Sequence, residues 1–307
     1  MQIPVTTSGR TNPYHPNVRP RLFLALLASV TVSAQESSTL INAGEPMRVA
    51  YSCAEEDLQW AGMSCSDAQP CAIYLELNSV VANGDPNGRK ISAAGDLHSS
   101  SVTIGSVLLQ SDDSGATWRE PAVRLRGSAI DQLQFFNPQA GWAAGETLYP
   151  LPRDPFFLVT TDGGASWRQH PVDEEDLPGA VQRFWFDSEK HGEVVVDAGK
   201  AAAGGRYLSY ESETGGDSWS LQGKSNQMPK LRRAPPSAED PEWRMRPSKD
   251  GKALQIEHRP RGEWTPVASF LIEVASCRIH AGELREPEPP AEETPATAPE
   301  NPKKRTH

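Results

Sequence analysis

Short apolar runs separated by glycine-bearing turns fill the middle of the chain. Ile73-Tyr74-Leu75-Glu76-Leu77, Leu133-Gln134-Phe135-Phe136 and Phe184-Trp185-Phe186 form one series. Val107-Leu108-Leu109, Phe156-Phe157-Leu158-Val159 and Tyr207-Leu208-Ser209-Tyr210 form a second. Runs this short, with turn residues on both sides, predict β-strands rather than helices. A different run, Leu22 to Val32, follows Arg10, Arg19 and Arg21 in a segment without Asp or Glu and ends at Val32-Ser33-Ala34. A positive region, an apolar core and a small-residue exit are the layout of a secretory signal. Residues 1–34 are therefore expected to be a signal peptide, and the protein exported, to the periplasm or beyond. No run approaches the roughly 18–20 apolar residues of a membrane-spanning helix.

The two strand series belong to a longer repeat. Ser111-Asp112-Asp113-Ser114-Gly115-Ala116-Thr117-Trp118 is matched by Thr160-Thr161-Asp162-Gly163-Gly164-Ala165-Ser166-Trp167. A third copy, Ser212-Glu213-Thr214-Gly215-Gly216-Asp217-Ser218-Trp219, carries Thr214 where Asp stood. The tryptophans are 49 and 52 residues apart. About 20 residues before each lies Ala94-Gly95-Asp96, Ala144-Gly145-Glu146 or Ala198-Gly199-Lys200. A fourth, eroded unit runs from Trp243 through the turn Ser248-Lys249-Asp250-Gly251 to Trp264. A period near 50 residues made of short strands and glycine turns predicts an all-β fold, a β-propeller whose blades stack to bury their faces. In the turn, the Asp accepts hydrogen bonds from backbone N–H groups just ahead of it. The following Gly supplies a backbone angle that a side chain resists, and the Trp buries a large ring.

These boxes, at 111–118 and 160–167, resemble the Asp-box, or BNR repeat, of sialidases and other propellers. Phe135-Phe136 followed by Gly141-Trp142-Ala143-Ala144-Gly145 resembles the strand pair of the photosystem II stability and assembly factor-like branch. The resemblance covers about 65–265 and implies a propeller. About four to five units fit between 47 and 280, a count that leaves ring closure open. The box residues Ser111, Asp113, Gly115, Trp118, Thr160, Asp162, Gly164, Trp167, Ser212, Gly216 and Trp219 are assigned to structure, because the same turn recurs in unrelated proteins. Four cysteines in an exported chain favour disulfides and allow three pairings. Cys65 and Cys71 flank a short loop. Propellers commonly close by pairing an N-terminal strand with the last blade, which brings Cys53 to Cys277, so Cys65–Cys71 with Cys53–Cys277 is the expected set.

Composition narrows the partners. The chain has 307 residues, with 40 acidic against 30 basic side chains and a formal charge of −10. That balance argues against a nucleic-acid binder. Residues 281–307 hold six Pro, six Glu and one Leu, too little apolar surface to fold, and are expected to be a disordered tail. The folded domain is then 35–280. Asp113 and Asp162 share one repeat position on different blades, so they do not make a catalytic pair for glycoside hydrolysis. The Arg-Ile-Pro signature of sialidases is absent, and no His-Glu-x-x-His or phosphate loop occurs. No enzyme activity, cofactor or metal is expected. Two insertions, around Asp96-Leu97-His98 to Ser101 and around Leu148 to Pro155, predict a binding rim on one face that includes Asp96, His98, Tyr149 and Arg153. Lys224, Lys230, Arg232 and Arg233 form a basic loop on an acidic protein. The expected function is a non-catalytic scaffold binding an envelope protein or glycan, monomeric unless an incomplete ring dimerises. The alternative is a sialidase-like glycoside hydrolase or carbohydrate-binding propeller.

Overall fold

The computed structural model describes residues 39–278 apart from 85–88, 149–150, 174–175, 201, 203 and 233–241. The expected signal segment 1–34 and tail 281–307 lie outside the described residues. The chain enters as β1 (Leu40–Ile41) and a short helix α1 (Glu55–Trp60), then forms four antiparallel sheets in sequence order. The first blade is β2 (Cys71–Asn83), β3 (Lys90–His98) and β4 (Thr103–Ser111), continued by the two-residue β5 (Thr117–Trp118) that pairs with β1. The second is β6 (Ser128–Phe135), β7 (Gly141–Thr147), β8 (Arg153–Thr160) and β9 (Arg168–Pro171). The third is β10 (Ala180–Phe186), β11 (Gly192–Asp197), β12 (Tyr207–Ser212) and β13 (Ser220–Ser225). The fourth holds β14 (Trp243–Pro247), β15 (Ala253–His258) and β16 (Thr265–Leu271). The architecture is thus a β-propeller, with four blades among the described residues.

The second strand of each of the first three blades is buried on both faces, because a neighbouring blade covers each side. That explains its small or branched apolar sequence: Ala93-Ala94-Gly95, Trp142-Ala143-Ala144-Gly145 and Val194-Val195-Val196. Gly95 and Gly145 each sit opposite a β-bulge in the innermost strand, between Leu77 and Ser79 and between Ile130 and Gln132. A Cβ there would lie 1.9 Å from the Glu76 carbonyl oxygen or 2.0 Å from that of Ala129, so only glycine fits. The third blade has the same bulge, between Val181 and Arg183, but sets Val196 opposite it. Ala198-Gly199-Lys200 is therefore not the third copy of this motif; Gly199 lies in the turn beyond β11 at φ +84°.

The fourth unit also differs from its expected form. Trp118, Trp167 and Trp219 each follow a blade's third strand, whereas Trp264 precedes one, and Ser248–Gly251 joins a first strand to a second. No turn of the 111–118 kind closes this blade among the described residues. Its third strand instead bends at Ile272 into β17 (Glu273–Cys277), which pairs with β2 of the first blade.

Three further contacts join the ends of the chain. The Met47 N–H donates to Ser269 O (2.8 Å) and Leu271 N–H to Met47 O (2.8 Å), laying the N-terminal segment beside β16. Asn42 Nδ2 donates to both Gly115 O (2.9 Å) and Val267 O (2.8 Å). Cys53 is bonded to Cys277, and Cys65 to Cys71. Buried apolar clusters then seal the fourth blade to the first, the first to the second and the second to the third. Among the described residues no such cluster joins the third blade to the fourth.

Candidate functional site

The three boxes consume their own polar groups. Asp113 accepts from Ser111 Oγ (2.9 Å), Thr117 N (2.8 Å) and Thr117 Oγ1 (2.6 Å), while Ser111 Oγ accepts from Gly115 N (2.7 Å). Asp162 repeats this with Thr160 Oγ1 (2.8 Å), Ser166 N (2.9 Å) and Ser166 Oγ (2.6 Å). The Ser166 hydroxyl and backbone donors hold the Asp162 carboxyl down at about 2. Partial desolvation raises the Asp113 pKa, but the Thr117 and Ser111 donors outweigh it and leave a net depression. In the third box the hydroxyl of Thr214 does the carboxylate's work, accepting from Ser218 N (2.9 Å). Gly115, Gly164 and Gly216 adopt φ of +97°, +85° and +91°, the left-handed region where a Cβ is strained.

Each box also faces the preceding blade. The Gly163 carbonyl accepts from Lys90 Nζ (3.2 Å) and Gln110 Nε2 (3.0 Å) of the first blade. The Gly215 carbonyl accepts from Trp142 Nε1 (2.8 Å) of the second, whose ring stacks on Phe186 at 3.8 Å. Trp118 is fully buried, donates to Gly115 O (3.1 Å) and meets Phe270 of the fourth blade edge-on at 5.2 Å. Trp219 stacks on Phe157 at 4.7 Å and Trp167 meets Phe135 edge-on at 5.9 Å. Ser111, Thr160, Ser212 and the box aspartates are thus tied into turns that join blades.

A concave site lies elsewhere. The innermost strands β2, β6, β10 and β14 together line a central cavity of about 920 Å³. Its wall mixes the carboxamides of Asn78, Gln132 and Gln182 with Arg183, Arg244 and the ring of Trp185. Arg244 is held in place by Glu257, a nearly fully buried carboxylate that it contacts through Nε at 2.7 Å, and by the face of Trp264 at 4.1 Å. Gln134 links β6 to β10, donating to Phe186 O (2.6 Å) and accepting from Phe186 N (2.8 Å).

One wall is acidic. Asn78 of β2 donates to Asp131 (3.0 Å), which occupies the β6 bulge and shares a hydrogen bond with Glu146 of β7. Glu146 in turn accepts from Val181 N of β10 (3.3 Å), so one polar string spans three blades. Burial first, and then the Asp131 charge, push the Glu146 carboxyl up to about 8. Burial likewise raises Asp131. It lifts Asp96 to about 7 against the opposing pull of His98. The third-blade residue at the same register position, Asp197, has a cation instead: Arg206 Nε reaches both its oxygens at 2.9 Å.

The expected rim takes a different form. β3 runs through Asp96 to His98 and β4 starts at Thr103, leaving only 99–102 as a turn, closed by Ser99 N to Val102 O at 2.8 Å. Asp96 is 5% exposed, paired in register with Glu76 on one side and Ser106 on the other, and is not a rim residue. His98 ends the strand half-buried, 3.8 Å from Glu76 and beside the Tyr74 ring. Arg153 opens β8 and pairs with Asp154 (2.6 Å) and Asp176 (3.8 Å). Tyr149 lies outside the described residues. Asp131, Gln132, Gln182, Arg183 and Arg244 were not singled out by sequence reasoning. The acidic residue after Ala-Gly in two units, Asp96 and Glu146, was the available signal for the polar wall.

No protein-family model matches this chain, and no curated protein matches it. Among solved structures it is similar to YCF48 from Cyanidioschyzon merolae, with 19% sequence identity and a TM-score of 0.33. The match covers 62% of this chain and 55% of that one, so it spans little more than half of that structure's length.

Proposed function

We propose that the chain is an exported, non-catalytic binding scaffold of the cell envelope, and that the central cavity takes an extended segment of a partner protein. The cavity carries the reading: inner strands from all four blades bring carboxamides, guanidinium groups and the half-buried indole of Trp185 to one cavity. A carboxamide both donates and accepts, matching the N–H and C=O of a peptide backbone. The indole supplies apolar contact area, and a fixed scaffold loses little freedom on binding. Two disulfides suit an oxidising compartment. The box carboxylates are engaged within their turns and are not offered to a substrate.

The test is affinity capture from envelope extract with the wild-type chain and with Gln182→Ala/Trp185→Ala. A protein held by the wild type and lost by the variant supports the reading. A protein held equally by both refutes the cavity assignment. One observation motivates the alternative of a carbohydrate-active propeller: Asp131 at the cavity wall shares a hydrogen bond with the buried Glu146 behind it, and both carboxyls have raised pKa values. Turnover of a fluorogenic sialoside, abolished by Asp131→Asn, would establish that alternative.

A further inference from the structure

A second cluster of ionisable side chains lies on the third blade, outside the cavity lining. Register places Glu193 of β11 directly opposite Glu211 of β12. Like charges so placed repel and need a cation between them. His191 stands beside them with Nδ1 2.7 Å from Asp187 Oδ1 and Nε2 2.8 Å from Glu211 Oε1. A carboxylate at Nδ1 that fixes the ring and aims Nε2 at a second partner is the arrangement used by metal-ligating histidines. Donor atoms of His191, Glu193 and Glu211 all lie within 4.8 Å of one another, in an open depression of about 360 Å³ also lined by Glu213 and Arg232.

The cation now at these oxygens is Arg232. Its backbone N–H donates to Glu193 Oε2 (2.6 Å), and its guanidinium reaches Glu193 Oε1 and Glu211 Oε1, the latter at 3.1 Å. The Arg232 side chain is itself 68% exposed, so these carboxylates are its main hold. Among the described residues, Asp187, Glu193, Glu211 and Glu213 together outnumber the guanidinium and imidazole that line the depression with them.

We propose that His191, Glu193 and Glu211 are the donor set of a divalent metal site suited to zinc, and that Arg232 closes the site when no metal is bound. Imidazole with two carboxylates is a nitrogen–oxygen set that favours zinc over the all-oxygen preference of calcium and magnesium. Tetrahedral zinc at about 2.0–2.1 Å places its donors about 3.3 Å apart, a modest contraction of the present cluster. Zinc takes the place of the proton on His191 Nε2, which leaves to solvent, and of the guanidinium, which swings out. Arg232 then loses the guanidinium contacts that tie it to β11 and β12.

Equilibrium dialysis of the chelator-stripped full chain against zinc chloride tests this, with calcium chloride in parallel. Arg232→Ala should bind one zinc per chain about tenfold or more tighter than wild type. His191→Ala should lose the metal, and Asp187→Asn should weaken it by about 10–100-fold. Calcium should not be retained. If His191→Ala fails to fold, Glu211→Gln serves in its place. The proposal is overturned if Arg232→Ala retains no zinc, if it binds zinc more weakly than wild type, or if His191→Ala retains zinc undiminished.

Discussion

Replacing Glu146 by Gln should make the protein less sensitive to alkali and more stable at pH 8. Glu146 is 3% exposed, and burial beside Asp131 raises its pKa from the model-peptide 4.5 to about 8. For an acid shifted upward, the native state keeps a proton that the unfolded chain has released. Stability is therefore greatest below the unfolded pKa and is lost as pH rises through the folded one. One such proton is worth about 1.4 kcal/mol per pH unit. Across this window the loss amounts to about 5 kcal/mol as an upper limit, since Asp131 shares the proton. The amide introduced by Glu146→Gln keeps an acceptor for Val181 N, gives a permanent donor to Asp131, and has nothing to ionise. Denaturant titrations from pH 5 to 8 should show wild-type stability falling more steeply than that of the variant. Their difference should favour the variant by about 2–4 kcal/mol at pH 8, or several degrees in Tm. Asp96 and His191 also carry raised pKa values and slope the same way, but they cancel in the difference. Parallel profiles for the two proteins would refute the shared-proton account.

Other consequences follow from single contacts. Gly145→Ala drives a Cβ to 2.0 Å from the Ala129 carbonyl and should destabilise by about 1–3 kcal/mol or more, measured by urea unfolding, whereas Gly223→Ala meets nothing and should be near neutral. Removing the Cys53–Cys277 bridge, which spans 224 positions, should lower stability by up to about 5 kcal/mol by loop entropy. Removing Cys65–Cys71 should lower it by about half as much, both read from non-reduced thermal melts. Asp162→Asn should weaken its turn by about 1 kcal/mol at neutral pH. Because the Asp162 pKa is depressed, that difference is present above the unfolded carboxylate pKa near 4 and should vanish as pH falls through about 2.

The repeat was legible in the sequence because its turn has strict chemical needs. Only a short hydrogen-bond acceptor satisfies the backbone N–H of Thr117, Ser166 or Ser218, and only Gly fits at 115, 164 and 216. Three of the four described blades carry such a turn, whereas the fourth is legible from its strand spacing alone. Where no such need exists, spacing misleads. Trp264 sits 45 residues after Trp219 but one strand too early, and Ala198-Gly199 imitates Ala94-Gly95 three positions out of register. Asp96-Leu97-His98 followed by serines reads as a loop, yet it is the buried middle strand of a sheet. Charge normally marks exposure, and here neighbouring blades bury the carboxyl with a raised pKa. The cavity was hidden for a related reason. Asn78, Gln132 and Gln182 look like the ordinary polar half of strand alternation until three blades bring them to one wall. The third-blade cluster was hidden too, because Glu193 and Glu211 meet only through cross-strand register.

We propose that this propeller works through its inner cavity, while the turns at 111–118, 160–167 and 212–219 join blades. Site-specific photocrosslinking in the native host is the decisive test, with a photoreactive side chain placed at Gln182 in one protein and at Ser114 of the first box in another. The account predicts a discrete crosslinked partner from Gln182, mapped to an extended segment, and none from Ser114. A partner crosslinked from Ser114 and absent from Gln182 would contradict it.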